Sequence, residues 1–156
     1  MSDERAPVSP ARLRAIESTV VGWLDAQREA NPLVLAVEAD PDTERLWVMR
    51  LEGEDKPVIT VWFHLRQRSL IAESHFMPAP LERHDDVWEY LLRRNHGLRG
   101  LSYSIGPEDA VYLTGRLPVE WVDDAHLDRL LGGIYEATEA SFGAAMRLGY
   151  GHRFTR

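Results

Sequence analysis

The sequence predicts an α+β fold, an antiparallel β-sheet packed with helices. Three observations predict it: apolar residues recur every three or four positions in three separate stretches, other runs alternate with a period of two, and the links between those runs are short and polar. The predicted order is helix, three strands (four if the short run Leu33 to Glu38 is counted), helix, two strands, helix. All of it falls in a single domain over residues 1–156, with residues 1–8 expected to be flexible.

From Pro10 to about Ala30, the residues Leu13, Ile16, Val20, Trp23 and Leu24 share one helical face. Ser9 can cap the first turn, Pro10 suits the first helical position, and Val8 can staple onto Leu13. Asn31-Pro32 ends the helix, because the residue before a proline is pushed out of the helical region. The period then changes to two. Leu33 to Glu38 reads as a short strand, and Asp40-Pro41-Asp42 as a turn. Leu46 to Leu51 and Val58 to Leu65 are strands on either side of the polar tract Glu52 to Pro57. In the second of them Ile59, Val61, Phe63 and Leu65 point one way, while Thr60, Trp62 and His64 point the other. Arg66-Gln67-Arg68 is a turn, Ser69 to Met77 the next strand, and an antiparallel meander the simplest topology.

Pro78-Ala79-Pro80 stops the sheet, since proline cannot donate to a ladder. A second helix from about Leu81 to Asn95 is expected to turn Val87, Trp88, Leu91 and Leu92 inward. Asp85 and Asp86 come early in it and Arg93, Arg94 and His96 late, an order that complements the helix dipole, and Gly97 can end it. Leu101 to Ile105 and Ala110 to Leu117 flank a hairpin turn at Gly106-Pro107-Glu108-Asp109. The last helix, about Asp123 to Leu148, has a broad apolar face running from Leu127 through Ile134 and Phe142 to Met146. Roughly a third of a turn away lies a stripe of small residues, Gly133, Ala137, Ala140 and Ala144. Each mid-helix glycine costs about 1 kcal/mol relative to alanine, which close approach of another backbone would offset. Either the sheet or a second copy of the chain can supply that approach, and the second case makes the stripe a homodimer interface.

Composition excludes several functions. Eighteen basic residues against twenty-five acidic leave a net charge of −7, so the surface as a whole does not favour nucleic acid. The absence of cysteine removes disulfides, thiol nucleophiles, iron–sulfur ligation and Cys-based zinc sites. No apolar run reaches the length of a membrane span, and the opening MSDERAPVSP has no signal-peptide core, so a cytoplasmic protein is expected.

Candidate chemistry is correspondingly thin. His64 and His75 fall on neighbouring strands but lack a ligand spacing such as H-x-x-x-H, and His84-Asp85 opens a helix, where an early aspartate has a plain electrostatic reason to be. No G-x-S-x-G elbow, G-x-G-x-x-G or G-x-x-x-x-G-K-[ST] occurs, so no enzyme activity, metal or cofactor is predicted. Arginines gather at Arg66 and Arg68, at Arg93 and Arg94, and around Arg147, Arg153 and Arg156. If Arg66, Arg68, Arg93 and Arg94 converge they form a small-anion site; otherwise they serve helix dipoles and solvated ion pairs. The less apolar sheet face carries Trp62, His64, Tyr103, Tyr112 and Arg116, a mixture typical of interface cores. That face either binds a protein or peptide or is covered by the first or last helix.

Four segments, VWFHLRQRSLIAESHFMPAP, EYLLRRNHGL, IGPEDAVYLTGRLP and AMRLGYGHRF, together resemble the bacterial YbjN family of sensory transduction regulators. The resemblance runs from about Asn31 to Phe154 and implies a fold similar to that of type III secretion chaperones. It further implies a homodimer that binds extended segments of a partner in a chaperone-like or regulatory role, and it implies no catalytic residues.

Overall fold

The computed structural model describes residues 6–154. Helix α1 (Pro10–Ala30) begins where expected: the Arg12 N–H donates to the Ser9 hydroxyl oxygen at 3.2 Å, with Pro10 at the first helical position. The Val8 N–H donates to the Gln67 carbonyl at 3.3 Å and its side chain packs against the core, so the last of the eight residues expected to be flexible is anchored; residues 1–5 lie outside the described residues. Four strands follow, β1 (Val34–Ala39), β2 (Leu46–Glu52), β3 (Val58–Leu65) and β4 (Ser69–Met77), and the short run after α1 is one of them. Helix α2 (His84–Asn95), strands β5 (Leu101–Ile105) and β6 (Val111–Pro118) and helix α3 (Asp124–Tyr150) complete the chain.

The strands form one six-stranded antiparallel sheet in the order β1-β2-β3-β4-β6-β5. The predicted meander is therefore present, and α2 carries the chain past β6 to place β5 on the edge. Ile59, Val61, Phe63 and Leu65 of β3 are buried beneath the helices. Trp23 of α1 meets Phe63 edge-on with ring centroids 5.4 Å apart, and its indole N–H donates to Asp128 of α3 at 2.8 Å. Phe76 of β4 packs in the same manner on Phe142 of α3 at 5.8 Å.

Some boundaries differ from the sequence reading. Helix α2 starts at His84 rather than Leu81, because the N–H groups of Leu81 and Glu82 both donate to the Gly149 carbonyl and Arg83 adopts a left-handed conformation at φ 53°. The hairpin turn after β5 closes as a single 3-10 turn over Pro107–Asp109, which delays β6 to Val111. Helix α3 runs two residues further than expected, to Tyr150, with Asp123 capping the His126 N–H at 2.8 Å.

Strand β4 carries a bulge between His75 and Met77. Lys56, the sole lysine, donates its ammonium to the carbonyls of both His75 and Phe76 and lies 5.5 Å from the Phe142 ring centroid. The bulge takes these carbonyls out of the regular ladder, and the lysine satisfies them. Replacing it, Lys56→Met, is expected to cost about 1–3 kcal/mol in a denaturant melt, the penalty for leaving buried acceptors unpaired. Burial also pushes the Lys56 ammonium down to about 8. The unfolded chain then holds a proton that the folded chain sheds, so this group makes stability rise with pH between about 8 and 10.5. The variant should lack that rise, read as the wild-type-minus-variant difference, in which the tyrosines cancel.

Candidate functional site

The helices cover one face of the sheet and leave the other open. Cross-strand registers build that open face as two rows. Glu38, Val48, Trp62, Glu73, Thr114 and Ser102 lie opposite one another across all six strands, and Leu46, His64, Ile71 and Arg116 form a second row across four. Trp62 remains 38% exposed. A depression of about 550 Å³ is lined by Leu46, Trp62, His64, Ile71, Glu73, His75 and Tyr112, all of them strand residues. His75 and Tyr112, paired across β4 and β6, meet edge-on at 5.4 Å. The alternative that a helix covers this face is not what the structure adopts.

The face is electrostatically graded. Burial, then the charges of Arg66 and Arg45, hold the His64 imidazole below its ordinary range. Burial and the Lys56 ammonium do the same for His75, against smaller opposing effects of a backbone hydrogen bond and then Glu108. Beside His64 the surface continues into a second concavity of about 290 Å³ lined by Arg66, Gln67, Arg68, Ser69, Ile71 and Arg116. Among the described residues, no group of three His, Asp or Glu side chains comes together as metal ligands.

Of the expected sheet-face residues, Trp62, His64, Tyr112 and Arg116 are where the alternation placed them. Tyr103 is a correction. It is 6% exposed, pairs opposite the buried Leu113, packs its ring 4.8 Å from Phe76 and donates its hydroxyl to the Ala137 carbonyl at 2.9 Å. The alternation Leu101-Ser102-Tyr103-Ser104-Ile105 carries that signal, since the serines take the outer positions.

The small-residue stripe is a second correction. Ala137 is 5% exposed and buried within its own chain, and a Cβ on Gly133 would come within 2.9 Å of Leu101. Ala144 is half-buried and Ala140 exposed, so the four residues do not present one surface. The close approach that the glycine permits is made by the sheet.

The four-arginine group is a third. Arg66 and Arg68 share a concavity with Arg116, whereas Arg93 pairs with Glu89 at 3.2 Å and Arg94 donates to the Ser141 hydroxyl of α3 at 3.1 Å. The turn and the helix end belong to different parts of the molecule.

Sequence reasoning also missed an apolar groove between α2 and the edge strand. It has a volume of about 170 Å³ and is lined chiefly by Trp88, Leu91, Leu92, Ile105 and Val111. Leu92, expected inward, is 67% exposed, and Ile105 is 52% exposed. The signal available was their position at the margin of an apolar stripe and the end of a strand. Asn95 closes the strand edge beside this groove: its carbonyl accepts the Tyr103 N–H at 2.7 Å and its amide donates to the Tyr103 carbonyl at 3.1 Å. On the opposite edge Arg28 donates to the Val37 carbonyl at 3.0 Å.

A family model, YbjN, described as "Putative bacterial sensory transduction regulator", matches residues 21–145. A protein of Mycobacterium bovis is 32% identical over 103 residues, which is 66% of this chain and 56% of that protein. One of Mycobacterium leprae is 32% identical over 110 residues, 70% of this chain and 60% of its own length. The chain thus spans less than two thirds of the length of these curated relatives. Among solved structures, a chain in the structure of the HopA1-SchA chaperone-effector complex matches with a TM-score of 0.56 at 12% identity, covering 88% of this chain and 99% of that one. At that identity the likeness is one of fold.

Two contrasts test the geometry. Tyr103→Phe should cost about 1 kcal/mol in a denaturant melt through its lost hydrogen bond, whereas Trp62→Ala should change stability by less than about 1 kcal/mol because Trp62 is already 38% exposed and lies outside the core. In an NMR titration the His64 and His75 rings should both protonate below the usual 6.5. Because the unfolded chain takes up these protons first, stability falls as pH drops through that window.

Proposed function

The chain belongs to the YbjN family, and from that premise we propose that it is a non-enzymatic module that binds a segment of another protein on the open face of its sheet. The observation carrying this reading is the depression itself: an indole, a phenol, two imidazoles and aliphatic groups on strands, left uncovered by the chain's own helices. Aromatic side chains among short polar ones are the composition of interface cores, and exposed aromatic and aliphatic groups gathered in one patch mark interaction sites. The fold shared with a chain of a chaperone–effector complex supports a chaperone-like or regulatory role.

We place the homodimer contact in the groove between α2 and β5 rather than on the small-residue stripe. Leu92 and Ile105 are among the most exposed large apolar side chains, and two copies meeting there about a twofold axis would bury both sets. The alternative function, a small-anion sensor, retains Arg66 and Arg68 and gains Arg116 but loses Arg93 and Arg94.

Trp62→Ala and Tyr112→Ala should each reduce capture of the protein's cellular partner while the thermal melt stays cooperative. Undiminished capture by both would exclude the depression. Light scattering should return twice the chain mass for the wild type and a monomer mass for Leu92→Glu; a wild-type monomer at micromolar concentration rejects the dimer.

A further inference from the structure

We propose that the end of the open face held by Arg66 and Arg116 binds an acidic side chain of an extended protein segment, an apolar residue of which, about three to four positions away, sits over Trp62. This rests on the sheet-face reading above and gives that partner a chemistry. Ile71 lines both the aromatic depression and the arginine concavity, so the two are one continuous surface. Arg116 stands opposite Ile71, which stands opposite His64, so in that row one aliphatic residue on β4 separates the charge on β6 from the aromatic ring on β3.

The arginine end is built on fixed backbone. The Arg66 N–H donates to the Ser69 carbonyl at 2.9 Å, closing the turn, and the Arg68 and Gln67 carbonyls accept the Val119 and Val8 N–H groups at 3.1 and 3.3 Å. Arg116 donates to the Ser69 hydroxyl at 3.3 Å. Guanidinium groups carried on such a backbone offer forked donors that match a carboxylate. Burial first, and then the charges of Arg66 and Arg45, lower the proton affinity of His64, so the positive potential of the turn extends onto the face.

Charge complementarity selects the occupant. The chain is acidic overall at −7, so long-range attraction of an acidic partner is absent and recognition must act within about 8 Å, where the local arginines dominate. Glu73 stands beside Trp62 in the middle of the face and disfavours a carboxylate there, which leaves the arginine end as the acid's place. The geometry also sets a spacing. Trp62 and Arg116 are two strands and two residues apart in the ladder, about 12 Å at ordinary sheet dimensions, which an extended segment covers in about three to four residues.

Synthetic extended peptides of serine and threonine, carrying one phenylalanine and one glutamate at that spacing, provide the probe, with glutamine replacing glutamate as control. By fluorescence anisotropy the wild type should prefer the glutamate peptide by about tenfold, and the preference should vanish in high salt. Arg116→Gln and Arg66→Gln, both on exposed guanidinium groups, should each reduce the preference without changing affinity for the glutamine peptide. Equal affinity for both peptides, lost in Trp62→Ala, overturns the acidic specificity and leaves the sheet-face reading standing. Binding of neither peptide overturns both. If inorganic phosphate stabilises the protein in a thermal-shift assay and the glutamate peptide does not bind, the concavity takes small anions and the acidic-segment assignment fails.

Discussion

One-sided burial governs this molecule: among the described residues, three α-helices pack on a single face of a six-stranded sheet. Side chains on a strand alternate strictly, so every strand must send one set of residues into the core and the other into water. Strand β3 shows the partition most sharply, with Phe63 under Trp23 and its neighbours Trp62 and His64 on the far side. Burying a large apolar side chain contributes about 1.5–3 kcal/mol, and a register slip of one residue would exchange the two sets wholesale. The open face is therefore held in place by the hidden one, and its residues are at liberty to be chosen for recognition.

The rigidity of that platform comes from contacts that cross between layers. Trp23 serves twice, its ring against the sheet and its N–H on Asp128, so α1 and α3 are tied through the same side chain that anchors β3. Glu139 of α3 accepts the backbone N–H groups of Glu54 and Asp55 at 3.0 and 2.9 Å, fixing the loop from which Lys56 reaches the β4 bulge. Gly133 against Leu101 and Gly149 against Pro80 let α3 lie close to what it covers, and in both cases an added Cβ would intrude on a neighbour. A face whose supports are fixed in this way costs a partner little reorganisation on binding.

The elements and their order were legible because long periodic stretches and paired caps agree with one another, as at Ser9-Pro10 and Asp123. The bulk of the open face was legible too, since the alternation in β3 and β6 is regular. What escaped was decided by tertiary contacts. The start of α2 depends on Gly149, far away in sequence, which holds Leu81 and Glu82 in a non-helical approach. Of the small-residue stripe only Gly133 marks a close approach, to Leu101, and helical periodicity does not say which neighbour approaches. Tyr103 was misplaced for another reason: aromatic residues with a hydroxyl are common on outer faces, and here the hydroxyl finds the Ala137 carbonyl inside. The arginine turn met Arg116 only through the β4–β6 register, which no local pattern encodes.

The plugs at the two borders of the sheet have a further consequence. Asn95 presents its side-chain amide to Tyr103 as a neighbouring strand would present a peptide group, and Arg28 occupies the Val37 carbonyl at the other border. An unpaired border is a template on which foreign strands accrete and fibrils grow. Here one residue on each border, Val37 and Tyr103, is already bonded by a side chain of the protein itself, so a foreign strand approaching either border meets an interrupted template. A segment bound as proposed, running from Trp62 to Arg116, would cross the strands, and its release would not require a β-ladder to be unzipped.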